Sequence, residues 1–101
     1  MSTYPFGKFL HVSFVWKGAA KTKELEPIFN NAGDWLRHSA NGWIVWTTLS
    51  AQEWYNRLAL QITKDDRTFI SELNTANMQG WMDKWEWDWI QKSRVPPLTG
   101  R

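Results

Sequence analysis

The sequence predicts an α+β domain built on a four-stranded antiparallel sheet. Three observations lead there: a strict period-two run near the N-terminus, two stretches of helical spacing, and an Asn-Gly dipeptide between two further alternating runs. In order, Lys8 to Trp16, "KFLHVSFVW", places Leu10, Val12, Phe14 and Trp16 on one side of a strand and Phe9, His11, Ser13 and Val15 on the other. Apolar groups on both sides predict a central strand. From Ala19 to Asn31 the spacing becomes helical, with Leu25, Ile28, Phe29 and Ala32 sharing a face. Pro27 fits only a first turn, so the helix either starts near Lys23 or bends there, and Gly33 offers a left-handed stop.

Asp34 to Ser39 and Trp43 to Leu49 alternate on either side of Asn41-Gly42, a hairpin pattern. Ser50 to Glu53, "SAQE", has capping-box spacing, and Trp54, Leu58 and Ile62 continue it as a helical stripe toward Lys64-Asp65-Asp66. "RTFISELN", residues 67 to 74, alternates again and reads as the fourth strand. The order strand, helix, strand, strand, helix, strand gives a ferredoxin-like βαββαβ arrangement with two helices on one face of the sheet. A single domain over residues 1–101 is expected, with its core at about 8–74 and a Trp-rich C-terminal extension over 75–95. As a helix, that extension puts Met78, Trp81, Met82, Trp85 and Trp89 on one stripe and leaves Trp87 outside; as a strand, "KWEWDW" alternates Trp85, Trp87 and Trp89 with Lys84, Glu86 and Asp88. The helix is preferred because its stripe runs over three turns, and Pro96-Pro97 ends either form.

Composition narrows the function. The chain has 101 residues, a formal charge of +2 and no cysteine, so disulfides, thiolate ligands and a cysteine nucleophile are excluded. No run approaches a membrane span and the first residues lack signal-peptide character, so a cytoplasmic protein is expected. His11 and His38 fall on different strands without a metal-ligand motif, and no serine lies in a nucleophile-elbow setting. Isolated glycines make no phosphate cradle. Asp65-Asp66 reads as turn solvation. No cofactor or metal is expected.

Nine tryptophans remain to be placed, four of them between Trp81 and Trp89. Four strands and two short helices cannot easily hide nine indoles, and clustered exposed tryptophan is the composition of a protein interface or of a base-stacking platform. Asp83, Glu86 and Asp88 interleave with these rings and would repel phosphates, which favours protein.

The run "WLRHSANGWIVWTTLSAQEWYNRLALQITKDDRTFISEL", about residues 34 to 73, resembles the SinR-like small proteins, which are similar in fold to the CRISPR-associated spacer-acquisition nuclease-like family and to VapD. The resemblance implies a ferredoxin-like protomer, commonly a homodimer, of bacterial or phage type, and for some relatives binding or cleavage of nucleic acid. Those nuclease-like relatives carry a metal-binding Asp at the end of the first strand, where this chain reads Val15-Trp16-Lys17. Metal-assisted cleavage would lack its ion holder.

The expectation is therefore a non-catalytic, dimerising interaction module that binds a larger protein or nucleoprotein complex through Trp81, Met82, Trp85, Trp87 and Trp89, an inhibitor of a bacterial defence system of the anti-CRISPR kind being one form. The alternative is a nucleic-acid-binding or RNase-like protein of toxin–antitoxin or spacer-acquisition type, with Lys17, Lys21, Lys23, Arg37, Lys92 and Arg94 on phosphates.

Overall fold

The computed structural model describes residues 3–92 and 94, with side chains from residue 7 onward. Its elements are β1 (Thr3–Val15), α1 (Thr22–Phe29), β2 (Asp34–Ser39), β3 (Gly42–Leu49), α2 (Ala51–Leu58) with a following 3₁₀ turn (Ala59–Gln61), β4 (Arg67–Glu72) and α3 (Lys84–Gln91). The strands form one sheet in the order β2-β3-β1-β4, with every neighbouring pair antiparallel. β1 and β2 thus run the same way with β3 between them, and β3 and β4 run the same way with β1 between them. Two β-α-β units are interleaved, each split by a strand of the other. The class is α+β, as the sequence predicts, and β1 is central. Pro96-Pro97 and Arg101 lie outside the described residues.

Alternation in the strands assigns each face. One face carries Leu10, Val12 and Phe14 of β1 with Trp43, Val45 and Leu49 of β3, and is covered by Leu25 and Phe29 of α1 and Trp54 and Leu58 of α2. Trp43 and Trp54 are fully buried, each such side chain contributing roughly 1.5–3 kcal/mol by burial. Phe29 stacks on Trp43 with ring centroids 5.0 Å apart, and Phe14 meets the same indole edge-on at 5.4 Å. The Trp54 Nε1–H donates to Thr47 Oγ1 at 3.0 Å, so burying this indole strands no donor.

The second face holds Phe9, Leu36 and Ile44, and α3 with the irregular segment before it supplies the cover: Ile90, Met78, Met82, Trp87 and Trp89, packed beside Trp46 and Leu73. Both sides of the sheet are therefore apolar and both are roofed, two helices on one and one on the other. Coverage of the second face stops short of its far end, where Val15 and Phe69 remain exposed.

Several local boundaries depart from the sequence expectations. α1 begins at Thr22, beside the expected Lys23, yet Pro27 still sits past the first turn and the Lys23 carbonyl lacks its helical donor. The helix stops at Phe29 rather than at Gly33; the Asn31 side-chain amide donates to the carbonyls of Pro27 and Ile28, and the Gly33 amide already pairs with the Trp46 carbonyl of the sheet. The hairpin turn is Ala40-Asn41, with Gly42 as the first residue of β3 opposite Ser39. Ser50 caps α2 as expected: its Oγ accepts the Glu53 amide at 3.1 Å while Glu53 Oε1 accepts the Ser50 amide at 3.3 Å.

Gly7 and Gly42 are required by close approach. A Cβ on Gly7 would lie 2.3 Å from Trp46 Cζ2, because that indole lies across β1. A Cβ on Gly42 would lie 2.7 Å from His38 Nε2, because the imidazole passes over β3. Gly18, by contrast, has open space around it. Gly7→Ala should therefore lower stability by about 1–3 kcal/mol through overpacking, whereas Gly18→Ala leaves it nearly unchanged; urea unfolding midpoints of the two variants check this.

Candidate functional site

The Trp-rich segment is built around α3. Asp83 takes the N-cap position and its amide donates to Glu86 Oε1 at 3.3 Å, so the helix cannot extend back over residues 75–82 as the long apolar stripe suggests. That start resets which side chains point inward. Glu86 and Ile90 are the buried positions of α3, with Trp87 and Trp89 half-buried beside them. Trp89 faces Phe9 at 5.5 Å between ring centroids, and Trp87 lies beside Gly80 and lines one cleft with Ile44.

The structure divides the five expected interface residues. Met82, Trp87 and Trp89 turn toward the sheet and belong to the second core. Trp81 is 100% exposed and Trp85 55% exposed, on the outer side. The stripe that grouped Trp85 with Trp89 and excluded Trp87 is corrected: with the helix beginning at Lys84, it is Trp87 that packs inward and Trp85 that faces out. Lys84 and Asp88 close an i,i+4 pair at 2.6 Å along the outer side and hold the surface around Trp85 polar.

The six cations proposed for phosphate contact do not converge. Arg94 is folded inward, its guanidinium 4.4 Å from the Trp89 ring centroid, 5.1 Å from Phe9 and 5.8 Å from Trp46, and it donates to Asp34 Oδ2 at 3.4 Å. Lys92 pairs with the same carboxylate at 3.3 Å. Arg37 donates to the Ala40 carbonyl at 2.6 Å and lies over the Trp43 ring. Lys21 pairs with Asp66 at 2.9 Å. Lys17, in the stretch between β1 and α1, and Lys23, in the first turn of α1, are exposed. Arg94 thus acts as a clasp joining the end of α3 to edge strand β2 through charge and through three aromatic faces.

The end of β1 has a carboxylate nearby after all, supplied by Asp66 from the turn before β4. Its oxygens accept the Lys17 amide at 2.9 Å, the Thr63 amide at 2.9 Å, the Thr63 hydroxyl at 3.3 Å and the Lys21 ammonium at 2.9 Å. The Lys17 and Thr63 amides, then the Lys21 ammonium, hold this carboxyl well below the usual carboxylate range. With four donors on its two oxygens, three of them on Oδ2, Asp66 ties the segment after β1 to the turn before β4. Asp34 is likewise occupied, by Arg94, Lys92 and the Trp35 amide. Among the described residues no group of three or more His, Asp or Glu is placed to hold a metal.

One convergence was not legible beforehand. His11 of β1 and His38 of β2 are separated by β3, yet their Nε2 atoms meet at 3.0 Å over Gly42. Burial, and then the neighbouring imidazole, lower the His11 pKa below its ordinary value. The pair lines a cleft of about 340 Å³ together with Met78 and Met82 of the segment before α3 and Trp87 of α3.

No family model, curated protein or solved structure matches the chain. No helix among the described residues is long and apolar enough to cross a membrane.

Two outcomes follow from the ionic ties. Arg94→Ala should cost roughly 2 kcal/mol and lower protection of the α3 amides in hydrogen exchange more than that of the α2 amides. For Asp66, a carboxyl depressed in the folded state stabilises above its unfolded pKa and loses that contribution as the pH falls. Thermal midpoints of wild type and Asp66→Asn should therefore differ most above about pH 4 and converge on acidification.

Proposed function

We propose that this chain is a non-catalytic protein-interaction module that presents Trp81 and Trp85 to a protein surface. The observation that carries this reading is the fully exposed Trp81 indole beside the half-exposed Trp85, on a segment whose other face is anchored by Ile90, Trp87 and Trp89. Indole in water is a standing cost that a partner surface relieves, and rigidly backed tryptophan loses little freedom on binding. A second copy of the chain is the simplest partner, in keeping with the SinR-like resemblance. Inhibition of a larger bacterial defence complex is the more specialised form of the same surface chemistry.

Nucleic-acid handling is the less supported reading. Four of its six cations have partners inside the molecule, and the exposed rings sit beside Asp83 and Asp88 rather than beside unpaired lysines. The carboxylates nearest the ends of the first two strands are spent on structural hydrogen bonds.

The test is the double variant Trp81→Ala/Trp85→Ala. Both side chains lie outside the two cores, so the unfolding free energy should stay within about 1 kcal/mol of wild type. Light scattering should show a fall in mass from dimer to monomer, or pull-down should lose the native partner. A wild-type chain that is monomeric at high concentration and captures the same proteins with and without the two indoles would overturn the proposal. Retention on heparin with a steep salt slope, unaffected by the double variant, would favour nucleic acid instead.

A further inference from the structure

The His11–His38 contact plays no part in the interaction surface, and three features of its setting ask for an explanation. First, the two rings come from strands that are not neighbours and meet only because position 42 carries no side chain. Second, they meet through the same atom, Nε2, at 3.0 Å. Two imidazoles bound to one ion at about 2.0–2.1 Å have their nitrogens roughly 3.3 Å apart at a tetrahedral angle and roughly 3.5 Å apart at a trigonal one, so the contact becomes a chelate when the rings draw apart by about half an ångström and turn their lone pairs to one point. Third, the cleft they line is lined also by two thioether side chains, Met78 and Met82, with both the histidines and the methionines only half-buried and so reachable from solvent.

We propose that this cleft binds one soft monovalent metal ion, copper(I), through His11 Nε2 and His38 Nε2, with Met78 or Met82 as a thioether ligand. Ligand softness decides the ion. Two nitrogens without a third histidine or carboxylate give an incomplete zinc site and no site for magnesium or calcium, whereas imidazole with thioether suits copper(I) and its low coordination number. Burial of the His11 ring favours its neutral form, the one a metal needs. Without the ion the two nitrogens share one proton in an N–H···N hydrogen bond. The metal takes the place of that proton once the donor ring has shifted to its Nδ1–H tautomer.

The site also spans two elements of the second core. The histidines stand on the sheet, and the methionines belong to the segment that leads into α3 and carries Trp81. An ion held between them would stitch the cover of the second face to the sheet, and binding would stabilise the fold by mass action.

The experiment is an anaerobic titration of the full chain with copper(I) buffered by bicinchoninate, in parallel with His11→Gln, His38→Gln and Met78→Leu/Met82→Leu. One equivalent is expected to be withdrawn from the indicator by wild type, with affinity falling at least about ten-fold in each histidine variant and less steeply in the methionine pair. Should a histidine variant fail to fold, the wild-type chain still gives the answer in its imidazole ¹H–¹⁵N spectrum, where copper(I) must move the Nε2 resonances of both rings together. Failure to compete with the indicator, binding unchanged by either His→Gln substitution, or Nε2 resonances that do not move would each overturn the proposal. So would one tightly held equivalent of zinc(II) that depends on the histidines and not on the methionines.

Discussion

A strand with apolar side chains on both sides must be covered on both sides, and β1 and β3 impose that condition on the whole molecule. Leu10, Val12, Phe14, Trp43 and Val45 point to one face, Phe9, Ile44 and Trp46 to the other, and neither set can be left in water. Two helices connecting the strands suffice for the first face because each β-α-β unit lays its helix there. The second face receives no connecting helix, so the chain beyond β4 has to return across it. The tryptophans of that return are accounted for chiefly by this need: Trp87 and Trp89 are the roof's inner lining, and only Trp81 and Trp85 exceed what the interior takes.

Large rings laid over a sheet demand small residues underneath. Trp46 crosses β1 at Gly7 and His38 crosses β3 at Gly42, each pressing within 3 Å of where a Cβ would stand. These two glycines are fixed by what passes above them rather than by their own backbone. The same device that lets an indole lie flat also lets two imidazoles from separated strands touch, so packing and chemistry on this face share one solution.

Much of the sheet was legible because alternation is a local property. "KFLHVSFVW" and "WIVWTTL" state their two faces outright, and Ser50 with Glu53 announces α2. The phase of α3 was harder. A helical stripe from Met78 to Trp89 fits the composition, but Asp83 and Glu86, a capping pair present in the sequence, start the helix later and rotate Trp87 inward in place of Trp85. The meeting of His11 with His38 could not be read at all, since it depends on β3 lying between β1 and β2 and on a bare Gly42, facts of strand order and not of spacing. Charge was misleading for a related reason: Arg94 looks like a free cation next to Lys92 until Asp34, sixty residues away along the chain, is seen to hold it.

That clasp has a consequence for how the molecule comes apart. Everything needed for the first core is contained in residues up to the end of β4, so that layer does not depend on α3. The second layer is fastened near its end by Arg94, which meets Phe9, Trp46 and Trp89. Release of α3 alone would bare Phe9, Ile44 and Trp46 on an otherwise intact sheet, an aromatic side prone to self-association.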